Sequence, residues 1–108
     1  MQIQIQSIHF DAAADLLKET SEKLAKLEKL HDGIQNCVVT LKKEKNDQEQ
    51  NYFVEVRLAI PKEDVFASER AVSFSTAIDR VVDDLKKQLV KRKERMKEFE
   101  RIAMDGLN

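Results

Sequence analysis

The chain has 108 residues, 42% hydrophobic and 36% charged, which gives room for one packed domain and no second core. Two glycines, one proline and six aromatics without tryptophan leave little material for glycine-rich phosphate loops or a base-stacking platform. A single cysteine and two histidines supply neither an internal disulfide nor a zinc-type ligand set. No apolar run exceeds three residues, which excludes a transmembrane helix and a signal-peptide core and predicts a soluble, cytoplasmic protein in a reducing compartment.

The first element is a strand, because Gln2-Ile3-Gln4-Ile5-Gln6 alternates strictly and places Ile3 and Ile5 on one face. Asp11 is the expected N-cap of the first helix. Ala13, Leu16, Leu17, Thr20, Leu24 and Leu27 recur on one helical face, and Gly33 is the expected left-handed C-cap. Alternation returns over Cys37–Lys45, with Cys37, Val39 and Leu41 inward. A polar loop over Lys45–Asn51 leads into a strand over Tyr52–Ile60, with Val54, Val56, Leu58 and Ile60 inward and Pro61 as its stop. A short fourth strand fits Asp64–Glu69, with Val65 and Ala67 inward. Ser73 then caps a long helix carrying Phe74, Ala77, Ile78, Val81, Val82, Leu85 and Leu89 on one stripe.

The predicted fold is therefore α+β with element order β-α-β-β-β-α. The first two strands pair in parallel, the later ones form antiparallel meanders, and one four-stranded mixed sheet carries both helices on one face. The other face, with Gln2, Gln4, Gln6, Lys42, Glu55 and Arg57, stays wet. Residues 1–97 are expected to form the domain, and residues 98–108 a C-terminal helix extension or tail.

Charge placement is the unusual feature. From Lys86 to Lys97, seven cations (Lys86, Lys87, Lys91, Arg92, Lys93, Arg95, Lys97) meet one acid, Glu94. These twelve residues carry +6, so the other 96 carry −7 against a formal total of −1. At about 100° per residue, Lys87, Lys91 and Arg95 form one ridge and Lys86, Lys93 and Lys97 a second. Arg92 falls on the apolar azimuth, so there the helix either overruns the sheet or lays the arginine stem along it. A helix dipole favours cations in its last turn only, and seven exceed that need. A polyanion explains the excess, since each neutralised phosphate releases counterions. Lys18, Lys23, Lys26 and Lys29 add cations on or beside the polar face of the first helix.

Several segments together resemble the bacterial ribosome hibernation-promoting factor family, also called ribosome-associated inhibitor or ribosomal subunit interface protein. They are Gln2-Ile3-Gln4-Ile5, Lys23-Leu24-Ala25-Lys26-Leu27-Glu28, Val39-Thr40-Leu41-Lys42-Lys43-Glu44-Lys45, Ala77-Ile78-Asp79, and the run from Asp83 through Lys93. The likeness spans about residues 1 to 97 in matching order. It implies a fold like a double-stranded-RNA-binding domain with an extra first strand, in agreement with the order read above. It also implies binding to the 30S subunit and its 16S rRNA in the channel between head and body. Bound there, the resemblance implies, such a protein would displace messenger and transfer RNA and block translation under stress or in stationary phase.

The family's basic positions match Lys23, Lys26, Lys87, Lys91, Lys93 and Arg95; with Lys86, Arg92 and Lys97 they make the expected rRNA-binding set. Two departures stand out: Asp84 where the family usually has lysine, and Arg92 where it commonly has histidine. The chain resembles the family's short form, without the C-terminal dimerisation domain. An auxiliary ribosome-dimerisation factor is a further candidate partner.

Other readings are weaker. His9, His31 and Cys37 form no nucleophile–base order, and Cys37 alternates inward as a small core residue. Asp83 and Asp84 face different ways on a helix, so no catalytic residue, cofactor, metal or small-molecule substrate is expected. Met96, Phe99, Ile102 and Met104 form a thin apolar stripe, which fits a frayed helix end or a protein-docking arm. A protein-interaction module using the long helix is thus an alternative, though heptad spacing fails across Lys91–Arg95. Generic structured-RNA binding is another, since it would use the same helices. An RNA-recognition-motif mode is disfavoured by element order and by a sheet face without paired aromatics.

Overall fold

Alternation in the central strands sets the architecture. The computed structural model describes residues 1–45 and 50–105, with side chains to residue 102. Residues 46–49, the centre of the expected polar loop, and the Met104 side chain lie outside the described residues. The elements are β1 (Gln2–Ile8), α1 (Ala14–Ala25) continued by a 3₁₀ turn over Lys26–Lys29, β2 (Asn36–Lys43), β3 (Tyr52–Ala59), β4 (Val65–Ala71) and α2 (Phe74–Asp105). Sheet order is β1-β2-β3-β4, with β1 parallel to β2 and the other pairs antiparallel. The expected β-α-β-β-β-α mixed sheet is found.

Register puts Ile3, Cys37 and Leu58 in one cross-strand row and Ile5, Val39, Val56 and Ala67 in another. Cys37, Val39, Leu41, Val54, Val56 and Leu58 are buried on the helix-covered face; Ile3 and Ile5, on the edge strand, are half-buried against the same core. All seven expected apolar residues of α2, from Phe74 to Leu89, are buried. Ser73 caps this helix as expected, its Oγ accepting from the Thr76 amide at 3.1 Å. The α1 stripe is narrower than its spacing predicts: Thr20, Leu24 and Leu27 are buried, whereas Ala13 and Leu17 are exposed. Thr20 tolerates burial because its hydroxyl donates to the Leu16 carbonyl at 2.7 Å.

Both caps expected for the first helix are corrected. Ala13, not Asp11, is the N-cap, and it makes no side-chain cap bond. His9 turns the chain at φ 69°, and Phe10 then stacks on Phe74 with ring centroids 4.9 Å apart, so that segment packs instead of starting the helix. At the other end the helix tightens into the 3₁₀ turn, and Gly33 does not adopt positive φ. Glycine is needed there for close approach. A Cβ would lie 2.8 Å from His31 Cε1 and 3.3 Å from Pro61 Cδ.

Candidate nucleic-acid interface

At a rise of 1.5 Å per residue, the 32 residues of α2 span about 48 Å. The last residue it buries is Leu89; from Lys93 through Ile102 every side chain is exposed. The helix thus leaves the sheet near Arg92 and carries the basic stretch beyond the core. Ser75 and Asp79 face α1, and Lys86, Lys93 and Lys97 share their flank at about 100° per residue. Lys87, Lys91 and Arg95 run along the other flank, where Lys91 and Arg95 border a hollow beside Glu63 and Asp64.

The nine expected cations fall into two groups. Lys26, Lys86, Lys87, Lys91, Lys93, Arg95 and Lys97 are exposed and form no ion pair among the described residues. Even Glu94, in their midst, takes no such partner. Like charges four residues apart, such as Lys87–Lys91 and Lys91–Arg95, cost a few tenths of a kcal/mol per pair, a cost that a bound polyanion reverses.

Lys23 and Arg92 are engaged within the fold. Lys23 Nζ sits 2.6 Å from Asp79 and 2.8 Å from Glu19, bridging the helices, and Ser75 donates to Glu19 at 2.7 Å. Asp79 first, then Glu19, hold the Lys23 ammonium above its usual pKa, while Lys23 and Ser75 hold Glu19 below the usual carboxylate value. The Arg92 side chain is largely buried where the helix leaves the sheet. Its guanidinium donates to the Pro61 carbonyl at 2.5 Å and to Glu63 Oε2 at 3.1 Å, so overrun and stem burial occur together.

Arg92 closes a stripe that periodicity alone did not reveal. Arg80 donates to the Arg70 carbonyl at 3.2 Å and Gln88 to the Phe66 carbonyl at 2.8 Å, so α2 side chains spaced by four fasten the β4 edge and the β3–β4 turn. Asp84 lies on this stripe, half-buried and beside Glu69 of β4. Asp84, then burial, push the Glu69 carboxyl above its ordinary pKa, with Arg80 opposing. At about 100° per residue Asp84 thus shares the flank of Lys87, Lys91 and Arg95, but it sits one to three turns nearer the core, half-buried against the sheet edge. The Cys37 thiol is pushed up to about 12 by burial, consistent with a packed core residue and not a nucleophile. Among the described residues no cluster of three His, Cys, Asp or Glu side chains could hold a metal, and no helix is long and apolar enough to cross a membrane.

The β-α-β-β-β-α fold has known counterparts. Residues 3–97 match the profile of the Sigma 54 modulation protein / S30EA ribosomal protein family. The chain belongs to this family. A ribosome hibernation promoting factor from Pseudomonas putida is 37% identical over 95 residues, covering 88% of this chain and 89% of that relative. In fold the chain resembles a ribosomal subunit interface protein from Coxiella burnetii, with a TM-score of 0.77 at 22% identity, over 87% of this chain and 99% of that one. It also resembles the N-terminal domain of Thermus thermophilus Protein Y, with a TM-score of 0.69 at 24% identity, over 82% and 96% of the two chains. The family assignment thus rests on sequence along most of the chain, and these two structures carry the same fold.

Proposed function

We propose that this protein is a cytoplasmic ribosome hibernation factor that binds 16S rRNA in the decoding channel of the 30S subunit and inhibits translation there under stress or in stationary phase. Family membership supports the coarser part, a ribosome-associated hibernation role in translation regulation. The observation that carries the finer part is the set of six exposed cations (Lys86, Lys87, Lys91, Lys93, Arg95 and Lys97), without an ion pair among the described residues, on the end of one helix in a chain of net charge −1. Such a ridge meets a phosphate-lined channel with affinity and strong salt dependence but little base reading. Lys26, at the start of the 3₁₀ turn after α1, adds a seventh exposed cation, while Lys23 and Arg92 hold the helices and the turn from which the ridge projects. Occupancy alone excludes messenger and transfer RNA, so no bond need be made or broken.

Residues 1–97 would form the binding unit, with 98–108 as its extension. The test is co-sedimentation with purified 30S subunits in competition with messenger RNA and initiator transfer RNA, alongside an in vitro translation assay. Binding that displaces both RNAs, and loss of inhibition in a folded K87E/K91E/R95E variant, are expected. Co-occupancy with both RNAs, or full inhibition by that variant, would overturn the proposal.

A further inference from the structure

A cleft of about 400 Å³ opens where the 3₁₀ turn, the loop before β2 and α2 converge. Its walls include Lys29, Leu30 and His31 on one side and Arg92, Lys93 and Met96 on the other. This volume falls in the range of about 300–1,000 Å³ that small ligands occupy. The cleft joins two kinds of surface. Lys29 and Lys93 are exposed and carry no ion pair among the described residues, whereas Leu30 and Met96 offer apolar area.

The walls are held in place before any ligand arrives. The Gly33 amide donates to His31 Nδ1 at 2.9 Å, which leaves the neutral ring with its proton on Nε2 as a donor. The His31 ring lies so close that a Cβ at position 33 would press on it at 2.8 Å, with Pro61 on the remaining side. Pro61 is itself clamped by Arg92 through its carbonyl. The four residues form one braced unit spanning the β3–β4 turn, the pre-β2 loop and α2. Asp32 is the one acid lining the cleft, set against Lys29, Arg92 and Lys93.

We infer that this cleft is a binding site for a nucleoside 5′-phosphate unit, with the phosphate between Lys29 and Lys93 and the base on Leu30 and Met96. A phosphate alone would forgo the apolar wall, and a nucleoside alone would leave the lysines without an anion. A free nucleotide and one unstacked nucleotide of an RNA strand share this chemistry. Lys93 is shared with the cationic set assigned to 16S rRNA, whereas Lys29, Leu30 and Met96 lie outside it, so substitutions at Lys29 and Met96 probe the cleft separately from the ridge.

Amide chemical shifts of the intact protein, titrated at low salt with AMP, adenosine, inorganic phosphate and a 5′-phosphorylated trinucleotide, test it. AMP should saturate and move the amides of residues 29–33 and 92–96. Adenosine and phosphate should each bind at least tenfold more weakly. Lys29→Glu and Met96→Asp, both at exposed positions, should each weaken AMP at least tenfold while leaving the rest of the spectrum unchanged. A trinucleotide binding tenfold tighter than AMP at the same amides identifies the strand as the source; equal affinity identifies the free nucleotide. Absence of saturable AMP shifts, shifts spread equally over all lysines, or wild-type AMP affinity in both variants would overturn the inference. Retained 30S binding in those variants would separate that outcome from failure of the ribosomal reading.

Discussion

Replacing Arg92 with methionine keeps the buried stem and deletes the guanidinium, so it separates a structural cation from an RNA-binding one. The guanidinium side chain is only 14% exposed, and its shortest bond, to the Pro61 carbonyl, is charge-assisted. The pair with Glu63, whose side chain is 66% exposed, adds little because solvent screens it. Hydrogen bonds to charged groups contribute about 1.5–3 kcal/mol; discounted for the exposed Pro61 side, the loss should be about 1–2 kcal/mol. For a domain this size that lowers Tm by roughly 4–8 °C per kcal/mol.

The assay is paired urea denaturation of Arg92→Met and Lys91→Met, followed by 30S affinity at several salt concentrations with each variant folded. Lys91 is exposed and unpaired among the described residues, so its loss should leave stability within about 0.5 kcal/mol while lowering the salt slope by nearly one unit. Arg92→Met should do the reverse. Equal stability of the two variants, with equal loss of slope, would refute the division into engaged and free cations.

Gly33→Ala should destabilise by about 1 kcal/mol, since the new Cβ presses on the His31 ring and Pro61; most of that loss should vanish in a His31→Ala background, and a cost unchanged there would place the strain elsewhere. Lys23→Gln should cost below about 1 kcal/mol in denaturant melts, because its partners Glu19 and Asp79 are 35% and 61% exposed. Glu69 has a raised pKa in the fold, so its stabilising share is complete below the ordinary carboxylate pKa and is lost as pH rises through the raised value. Asp84→Asn, which removes the facing charge, should therefore stabilise more at neutral pH than at about pH 5 in urea melts; an equal gain at both would contradict the carboxyl pairing.

Local periodicity made most of the fold legible. The α2 stripe from Phe74 to Leu89 and the inward rows of β2 and β3 depend only on spacings of 3.6 and 2, which the core enforces. Asp11 and Gly33 were misread because cap preference is a local signal. The stacking of Phe10 on Phe74 and the approach of Pro61 to Gly33 are contacts made far along the chain. The same distance hid how the cations divide. The azimuth of Arg92 marks it as unusual, but its partner carbonyl lies 31 residues away. Lys23 meets Ser75 across 52 residues of sequence, and nothing near Asp84 announces Glu69. Which cations are free is a property of tertiary packing, whereas their concentration in one helix is written in the composition of twelve consecutive residues.

The most direct measurement is the slope of log K against log salt for 30S binding, comparing the wild type with a K87Q/K91Q/R95Q variant. If the seven exposed cations without an ion pair among the described residues, Lys26 and the six on α2, each meet a phosphate, the wild-type slope is about −5 to −6, and the variant is shallower by about 2–3 units. A shallow wild-type slope, or a variant whose slope matches the wild type, would mean that the protruding helix is not what grips the RNA.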